Sequence, residues 1–200
     1  MRPQQPELLT VRPVILSLCD RTGSWSAPYA DAGYRVITVD MQAREGEHPN
    51  REHWQRSVRL LPLPEFRVHG ILAAPPCTMF ASSGARWVRT DEQMEEALAV
   101  VDACLRLVMT CQPRWWALEN PVGKLGQYLG PPSYYFQPSD FGDRYTKRTC
   151  LWGNFTPPQK RPVNPTDGSK MHRMAPGPER KNLRSVTPPG FARAFFEANP

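Results

Sequence analysis

Apolar residues along this chain fall into short continuous runs that are separated by polar turns. Five runs have the length and composition of β-strands, at residues 14–18, 35–40, 68–73, 115–118 and 149–152. Runs of this kind, apolar at successive positions, are typical of strands that are buried on both faces of a parallel sheet. The pattern therefore predicts a buried sheet in which each strand ends at a polar turn.

Helical periodicity separates the third and fourth runs. Thr90 and Gln93 form a capping-box pattern, and the positions behind them predict one apolar helix face through about Cys111. That face consists of Met94, Ala97, Leu98, Val101, Leu105 and Val108. We also expect a short helix over about 26–32, ended by Gly33, and a closing helix over 189–198 packed by Phe191, Phe195 and Phe196. Alternation of strands and helices predicts an α/β fold with a parallel sheet, whereas 42–64 and 157–184 show little periodicity.

The charge of the chain favours an anionic partner without naming one. There are 25 Lys and Arg residues against 19 Asp and Glu residues, a net charge of +6. Most of the excess lies in the proline-rich stretch 156–184, which has seven basic and two acidic residues. A solvated loop is an equally good interpretation of that stretch. The five cysteines include no C-x-x-C pair, and we find no membrane-spanning run or signal peptide, so we expect free thiols in a reducing cytoplasm and no metal site.

Two motifs follow apolar runs directly: Ala74-Pro75-Pro76-Cys77 and Leu118-Glu119-Asn120-Pro121. The carboxyl ends of neighbouring parallel strands open into one crevice, where open sheets bind ligands. Cys77, stiffened by two prolines, could act as a nucleophile, although a buried cysteine is more often a small apolar residue. Glu119 behind a tryptophan-rich strand should have a raised pKa, which suits a proton donor; an ordinary ion-paired carboxylate is the alternative.

Three weaker features accompany these motifs. Gly23 lies in the turn after the first strand, and Asp40 ends the second strand, where an acid can hold ribose hydroxyls or simply cap a turn. Lys147 and Arg148 precede the last strand and could hold a phosphate or a base oxygen, unless they belong to a surface turn.

Taken in this order, the features resemble the DNA cytosine-C5 methyltransferases. The resemblance covers residues 14 to about 155 and, more faintly, 184–188. It implies a Rossmann-like S-adenosylmethionine-dependent methyltransferase sheet, mostly parallel, with helices on both faces. It also implies S-adenosyl-L-methionine as the methyl donor.

The resemblance implies a role for each motif. Cys77 would add to C6 of cytosine while Glu119 assists at N3, and Lys147 or Arg148 would hold the O2 edge of the base or a phosphate. The base must leave the duplex stack to reach such a pocket. The residues expected to bind the cofactor are Gly23, Ser24, Asp40, Met41, Pro76 and Thr187.

The chain departs from the family pattern in three places. Cys19 and Arg21 stand where the family has the aromatic residue and the first glycine of Phe-x-Gly-x-Gly. Tyr145-x-Lys147-x-Thr149 stands for Gln-x-Arg-x-Arg. Only about thirty-five residues separate Thr149 from Ser185, too few for a target-recognition domain.

The basic stretch occupies the place of that domain, and its expected DNA-binding residues are Lys160, Arg161, Lys170 and Arg173. Phosphate contacts from such a loop give affinity without sequence information. The enzyme therefore reads a very short site, or modifies cytosine with little selectivity, or takes its specificity from a partner protein. A compact form of this kind is what we expect of a phage or prophage.

The expected domain organisation follows from these motifs, and two alternative functions stay open. We expect a flexible leader at 1–12, a catalytic domain at 13–155, a basic loop at 156–184 and a C-terminal helix segment at 185–200 that packs back on the catalytic domain. We expect a monomer that acts on DNA in a bacterium or phage-infected cell, as in restriction-modification, with no membrane. The alternatives are C5 methylation of a free nucleotide such as dCMP, and a non-catalytic DNA-binding module or a subunit needing a partner, which Arg21 and the altered basic motif favour.

Overall fold

The structure is a computed structural model that describes residues 12–44, 46–82, 88–169, 173–175, 177 and 179–200. Nearly all of the expected leader 1–12, and Lys170 of the basic loop, lie outside the described residues. The strands are β1 Val14–Leu18, β2 Arg35–Asp40, β3 Arg51–Gln55, β4 Val68–Ala73, β5 Trp115–Pro121, β6 Tyr134–Phe136 and β7 Thr149–Asn154. The helices are α1 Ala27–Asp31, α2 Asp91–Cys111, α3 Gly126–Leu129, α4 Arg180–Ser185 and α5 Pro189–Ala198, with short 3-10 turns at Val58–Leu60 and Pro138–Phe141.

The seven strands form one sheet in the order β3-β2-β1-β4-β5-β7-β6. Neighbours among β1 to β5 pair in parallel, whereas β7 runs antiparallel to both β5 and β6. The expectation of a mostly parallel sheet is confirmed. Strand β7 is the exception, and its reversed direction decides which residues reach the edge where the parallel strands end.

Helices cover both faces of the sheet, so each face has its own apolar core. On one face α2 buries Val101, Cys104 and Leu107 against the sheet. On the other face α1 and α5 bury Tyr29, Phe191 and Phe195. Aromatic rings fix the second core, where the rings of Phe136 and Phe191 stack with centroids 3.8 Å apart. This layering explains the continuous apolar runs, because a strand between two helix layers has no solvent-facing side.

Most elements that the sequence predicts are present. The expected strands 14–18, 35–40 and 68–73 are β1, β2 and β4, and the closing helix is α5 with the expected bounds. The capping box of α2 is also confirmed. Thr90 Oγ1 accepts a hydrogen bond from Gln93 N at 3.3 Å, and Gln93 Oε1 accepts one from Thr90 N at 3.2 Å.

Three elements escape the sequence pattern for physical reasons. Strands β3 and β6 lie at the two edges of the sheet and are largely half-exposed, so neither needs a continuous apolar run. Strand β6 has three residues, which is too short to show a strand period. Helix α4, in the stretch 157–184, has six residues and no helical repeat to detect.

Within the described ranges, none of the helices is both long and apolar enough to cross a membrane. The longest of them, α2, has 21 residues and begins with Asp91 and Glu92. Its acidic first turn suits the positive end of the helix dipole and faces solvent.

The capping box predicts a measurable contribution to stability. Thr90→Ala leaves the Gln93 amide without its side-chain acceptor and should lower the free energy of unfolding by about 1 kcal/mol. Urea denaturation followed by circular dichroism measures this change. Thr90→Ser keeps the hydroxyl and is the matched control; equal midpoints for the alanine and serine variants would contradict a stabilising role for the cap.

Candidate active site at the carboxyl edge of the sheet

The turns that follow β1, β2, β4 and β5 lie side by side at one edge of the sheet. Ala74 N donates to Leu18 O at 3.0 Å, which joins the turn after β4 to the end of β1. Ala73 is in register with Leu118, so the residues after β4 lie next to Glu119 in β5. Because β7 is antiparallel, its first residues rather than its last lie at this edge, with Thr149 opposite Pro121.

The Pro-Pro-Cys turn is held by hydrogen bonds on both sides of the thiol. Asn120 Nδ2 donates to Pro75 O at 3.0 Å, and Asn120 is completely buried, which confirms that this amide anchors the loop. The carbonyl oxygen of Cys77 accepts from Phe80 N at 3.0 Å and from Ala81 N at 2.8 Å. The half-buried Cys77 therefore occupies a backbone that is fixed before and after it.

Glu119 is a half-buried acid on which the positive charge of Lys147 acts. Burial raises the pKa of Glu119 above its usual value, and the charge of Lys147 opposes that shift more weakly. The direction agrees with the expectation for a carboxyl group behind an apolar strand. A carboxyl group held towards its protonated form can donate a hydrogen bond to a base nitrogen.

The thiol of Cys77 is also shifted towards its protonated form. Burial raises its pKa most, and the negative charge of Glu119 raises it further, whereas Lys147 and Arg184 lower it. Neutralising Glu119 removes the second largest cause of the raised pKa. The protonation of the acid and the nucleophilicity of the thiol are therefore coupled.

The structure separates the two basic residues before β7. Lys147 Nζ donates to Arg184 O at 3.1 Å, and its charge acts on both Cys77 and Glu119. Arg148 is exposed, with its guanidinium 5.1 Å from the centroid of the Tyr135 ring. Successive residues of an extended chain point to opposite faces, which is why only Lys147 joins the cluster. Arg184 lies in the segment 184–188 that the resemblance covers faintly, but the sequence pattern predicted no role for it in the site.

The turn after β1 is organised by Asp20, which the sequence reasoning missed. Its carboxylate accepts from Gly23 N at 2.7 Å and from Ser17 Oγ at 2.6 Å, and the hydroxyls of Thr22 and Ser26 lie within 3.3 Å. An acid three residues before a glycine at a strand end is the signal that could have found it. Gly23 is buried with φ of 66°, a left-handed conformation that favours glycine.

Two arginines line this turn. Arg51 donates to Thr22 O at 3.1 Å, and its guanidinium fills the space that a side chain at position 23 would need. Arg21 Nε donates to Ala43 O at 3.2 Å, and its Nη1 lies 4.0 Å from Glu179 Oε2. The turn after β1 is thus tied to the segment after β2 and to the residue that precedes α4.

The other expected cofactor residues lie along or near this edge. Asp40 is half-buried at the end of β2, and its Oδ1 accepts from Gln42 N at 2.8 Å. Ser24 N donates to Thr22 Oγ1 at 3.2 Å in the glycine turn. Met41 is 70% exposed and Pro76 is exposed, whereas Thr187 is buried just before α5.

The basic residues of the loop 156–184 differ from one another in their contacts. Lys160 Nζ lies 2.8 Å from Asp140 Oδ2 and donates to Tyr135 O at 3.1 Å, so its charge is compensated and it covers the edge strand β6. Arg161 is exposed, and its backbone N donates to Asp140 O at 2.7 Å. Arg173 is exposed and donates to Asp167 O.

Comparison with known proteins gives a fold and no sequence family. No family model matches the chain, and no curated protein does. Among solved structures, a candidate DNA modification methyltransferase encoded within a prophage, from E. coli, matches with a TM-score of 0.53 and 19% identity, over 76% of this chain and 53% of that protein. A candidate methyltransferase from an antibiotic biosynthesis pathway of Anabaena variabilis matches with a TM-score of 0.33 and 18% identity, over 56% of this chain and 40% of that protein. The chain therefore spans about half the length of the first of these proteins, and its fold is a Rossmann-like methyltransferase fold.

The coupling around Cys77 can be tested by alkylation. In the alkaline range where the thiol titrates, Glu119 is ionised, so Glu119→Gln should lower the pKa of Cys77 and raise its rate of reaction with iodoacetamide. Lys147→Met removes a cation and should raise that pKa and slow the reaction. Mass spectrometry of the Cys77 peptide, sampled across neutral to alkaline pH, measures both shifts.

Cys111 is an internal control in the same digests. The pKa of its thiol is raised by burial, and its neighbours are Thr110 and Arg106, so neither substitution should change its profile. A Cys77 profile that stays unchanged in both variants would show that Glu119 and Lys147 do not act on the thiol.

Proposed function

We propose that this protein transfers a methyl group from S-adenosyl-L-methionine to C5 of cytosine in DNA. The observation that carries the proposal is the cluster of Cys77, Glu119 and Lys147 at the carboxyl edge of the sheet. Cys77 follows β4, Glu119 lies in β5, and Lys147 precedes β7. C5 of cytosine is a poor nucleophile, and activation by a thiol and an acid is chemistry that these residue types can perform.

Cys77 acts as the nucleophile. Its thiolate adds to C6 of the base, and Glu119 holds a proton at N3, so that C5 gains the electron density it needs. A protonated Glu119 no longer opposes thiolate formation, which fits the coupling between the two groups. C5 receives the methyl group with release of S-adenosylhomocysteine, and a water molecule then takes the proton from C5. As the C5–C6 double bond forms again, the bond between Cys77 and C6 breaks and the thiolate of Cys77 is released.

Lys147 is the cation whose charge acts on both Cys77 and Glu119. It favours the thiolate of Cys77 and can hold the O2 edge of the base, which is the role that we assign to it in place of Arg148. The positive charge of Arg184, in α4, also lowers the pKa of Cys77 and so favours its thiolate. Its backbone oxygen positions the Lys147 ammonium.

The turns after β1 and β2 fit the cofactor. Gly23 would allow a close approach to the backbone once the Arg51 guanidinium, which fills the space beside it, moves aside. Asp40 has one carboxylate oxygen bonded to Gln42 and a second for the ribose hydroxyls. Ser24, Met41, Pro76 and Thr187 complete the proposed binding residues. S-adenosylmethionine supplies the methyl group when bound, and the chain orients it at an edge that continues directly to Cys77.

The proposed organisation is a leader at 1–12, a catalytic domain at 13–155, a DNA-contacting loop at 156–184 and a closing segment at 185–200. The likeness of the fold to the E. coli prophage protein, a candidate DNA modification methyltransferase, supports DNA as the substrate. Arg161 is the loop residue whose exposed guanidinium suits a phosphate contact. A monomer in a bacterial or phage-infected cytoplasm fits this proposal, and sequence specificity comes from a short site or from a partner protein.

Methyl transfer itself is the first test. Labelled S-adenosylmethionine and unmodified DNA should give labelled 5-methylcytosine after digestion to nucleosides, detected by mass spectrometry. Cys77→Ala should abolish both the product and any covalent adduct, because the proposed nucleophile is lost. Glu119→Gln should lower the rate by about a hundredfold, as loss of a positioned acid does.

The outcomes separate the alternatives. Product formation that survives Cys77→Ala would remove Cys77 from the mechanism. Absence of product on DNA, with labelled product on dCMP, would move the substrate to a free nucleotide. Absence of both, with intact binding of the cofactor, would contradict an independently active enzyme and favour a subunit that needs a partner.

Cofactor binding can be measured apart from activity. Asp40→Ala removes the acceptor proposed for the ribose and should weaken the binding of S-adenosylmethionine about tenfold or more in isothermal titration calorimetry. Asp102→Ala, at an exposed position on α2, changes the charge equally and should bind like the wild type. An unchanged Kd for Asp40→Ala would return Asp40 to the role of a turn cap.

A further inference from the structure

Beside the catalytic cluster, Tyr135 and Arg148 form an exposed stacked pair. The guanidinium carbon of Arg148 lies 5.1 Å from the centroid of the Tyr135 ring. Tyr135 is 43% exposed, and Arg148 is exposed as well. Neither side chain is used by the proposed mechanism, so the pair is a feature of the surface.

The pair lies close to the reacting groups in the sheet. Tyr135 is in register with Cys150, and Cys150 is in register with Asn120, the neighbour of Glu119. Arg148 directly follows Lys147 of the cluster. The pair therefore forms the rim of the catalytic edge, on the face opposite to Glu119.

The same face carries a second tyrosine and a lysine. Leu125 is completely buried in the core under α2, which places α3 on this face. Tyr128 of α3 is 48% exposed, and Lys124, four residues earlier, is exposed. The two segments that build this corner, 121–136 and 144–149, contain four basic residues and no Asp or Glu.

We propose that this corner, defined by Lys124, Tyr128, Tyr135 and Arg148, is a stacking surface for unpaired bases of single-stranded DNA next to the target cytosine. The inference rests on the proposed function and adds the form in which the substrate is presented. Aromatic rings and guanidinium planes bind any base through its flat face, and cations bind the phosphates.

Duplex DNA fits the corner less well because its bases are stacked on one another and expose only their edges. An acidic or apolar peptide would use the charges or the rings alone, whereas a strand with unpaired bases uses both. Stacking is tolerant of sequence. A protein that holds its substrate in this way needs no large recognition segment, which agrees with the short stretch between β7 and α5.

The test is direct binding, measured without turnover. A fluorescein-labelled single strand of about 16 nucleotides should bind the wild type more tightly than the matching duplex in fluorescence anisotropy at fixed salt. Tyr135→Ala should weaken binding of the single strand about tenfold, since a stacked base is lost. Tyr135→Phe keeps the ring and should stay within about twofold of the wild type.

Arg148→Ala should also weaken binding of the single strand, and Arg59→Ala is its matched control. Arg59 is exposed after β3, at the far edge of the sheet, and its removal changes the net charge by the same amount. We expect Arg59→Ala to bind within about twofold of the wild type, because a distant charge contributes little at moderate salt. Equal losses for the two arginine variants would show only non-specific attraction and would overturn the proposal.

The remaining outcomes also test the proposed stacking surface. Unchanged binding by Tyr135→Ala, tighter binding of the duplex, or tighter binding of single-stranded RNA of the same sequence would each overturn it. Methyl transfer that is indifferent to Tyr135→Ala on single-stranded DNA would leave the proposed function standing and remove this surface. Binding that depends on Tyr135, in a protein that shows no methyl transfer, would support the surface and contradict the proposed function.

Discussion

The antiparallel pairing of β7 with β5 is the constraint on which the candidate site depends. Residues that follow a parallel strand reach the carboxyl edge, whereas residues that precede β7 reach it only because this strand runs in reverse. Lys147 is thereby brought to Glu119 although a long stretch of chain separates them. With β7 parallel, the same basic residue would lie at the opposite edge of the sheet, away from Cys77 and Glu119.

Burial then makes these groups interdependent. Burial raises the pKa of both Cys77 and Glu119, and the negative charge of Glu119 raises the pKa of Cys77 further. Lys147 and Arg184 offset part of this effect but do not reverse it. Titratable groups whose pKa values are shifted by burial and by a nearby charge are typical of functional sites.

The sequence predicts the centre of the fold better than its edges. Strands β1, β2 and β4 lie between helix layers, so continuous apolar runs in the sequence predict them. Helix α2 is predicted by its capping box and by the helical spacing of its apolar residues. Strand β3 pairs on one side only and includes Arg51 and Glu52. Its position in the sheet follows from its pairing with β2, which no local pattern contains.

The candidate site shows the same division. Cys77 and Glu119 are predictable because each directly follows or ends a recognisable strand. The choice between Lys147 and Arg148 requires the register of β7, which decides the face on which each side chain lies. Lys160 shows what charge along the sequence does not reveal: its partner Asp140 lies twenty residues earlier. The expected DNA contact of Lys160 stays a prediction.

The distribution of uncompensated charge follows from these contacts and bears on how the protein meets an anionic partner. The basic loop supplies most of the net charge of the chain, yet Lys160 is paired with Asp140 and donates to Tyr135 O of β6. The corner around Arg148 has fewer cations, and the guanidinium of Arg148 lies 5.1 Å from the centroid of the Tyr135 ring. Free positive charge next to flat apolar surface binds a polyanion that carries exposed rings more strongly than one that presents phosphates alone. Under the proposal for this corner, the chain therefore favours a strand whose bases are already accessible.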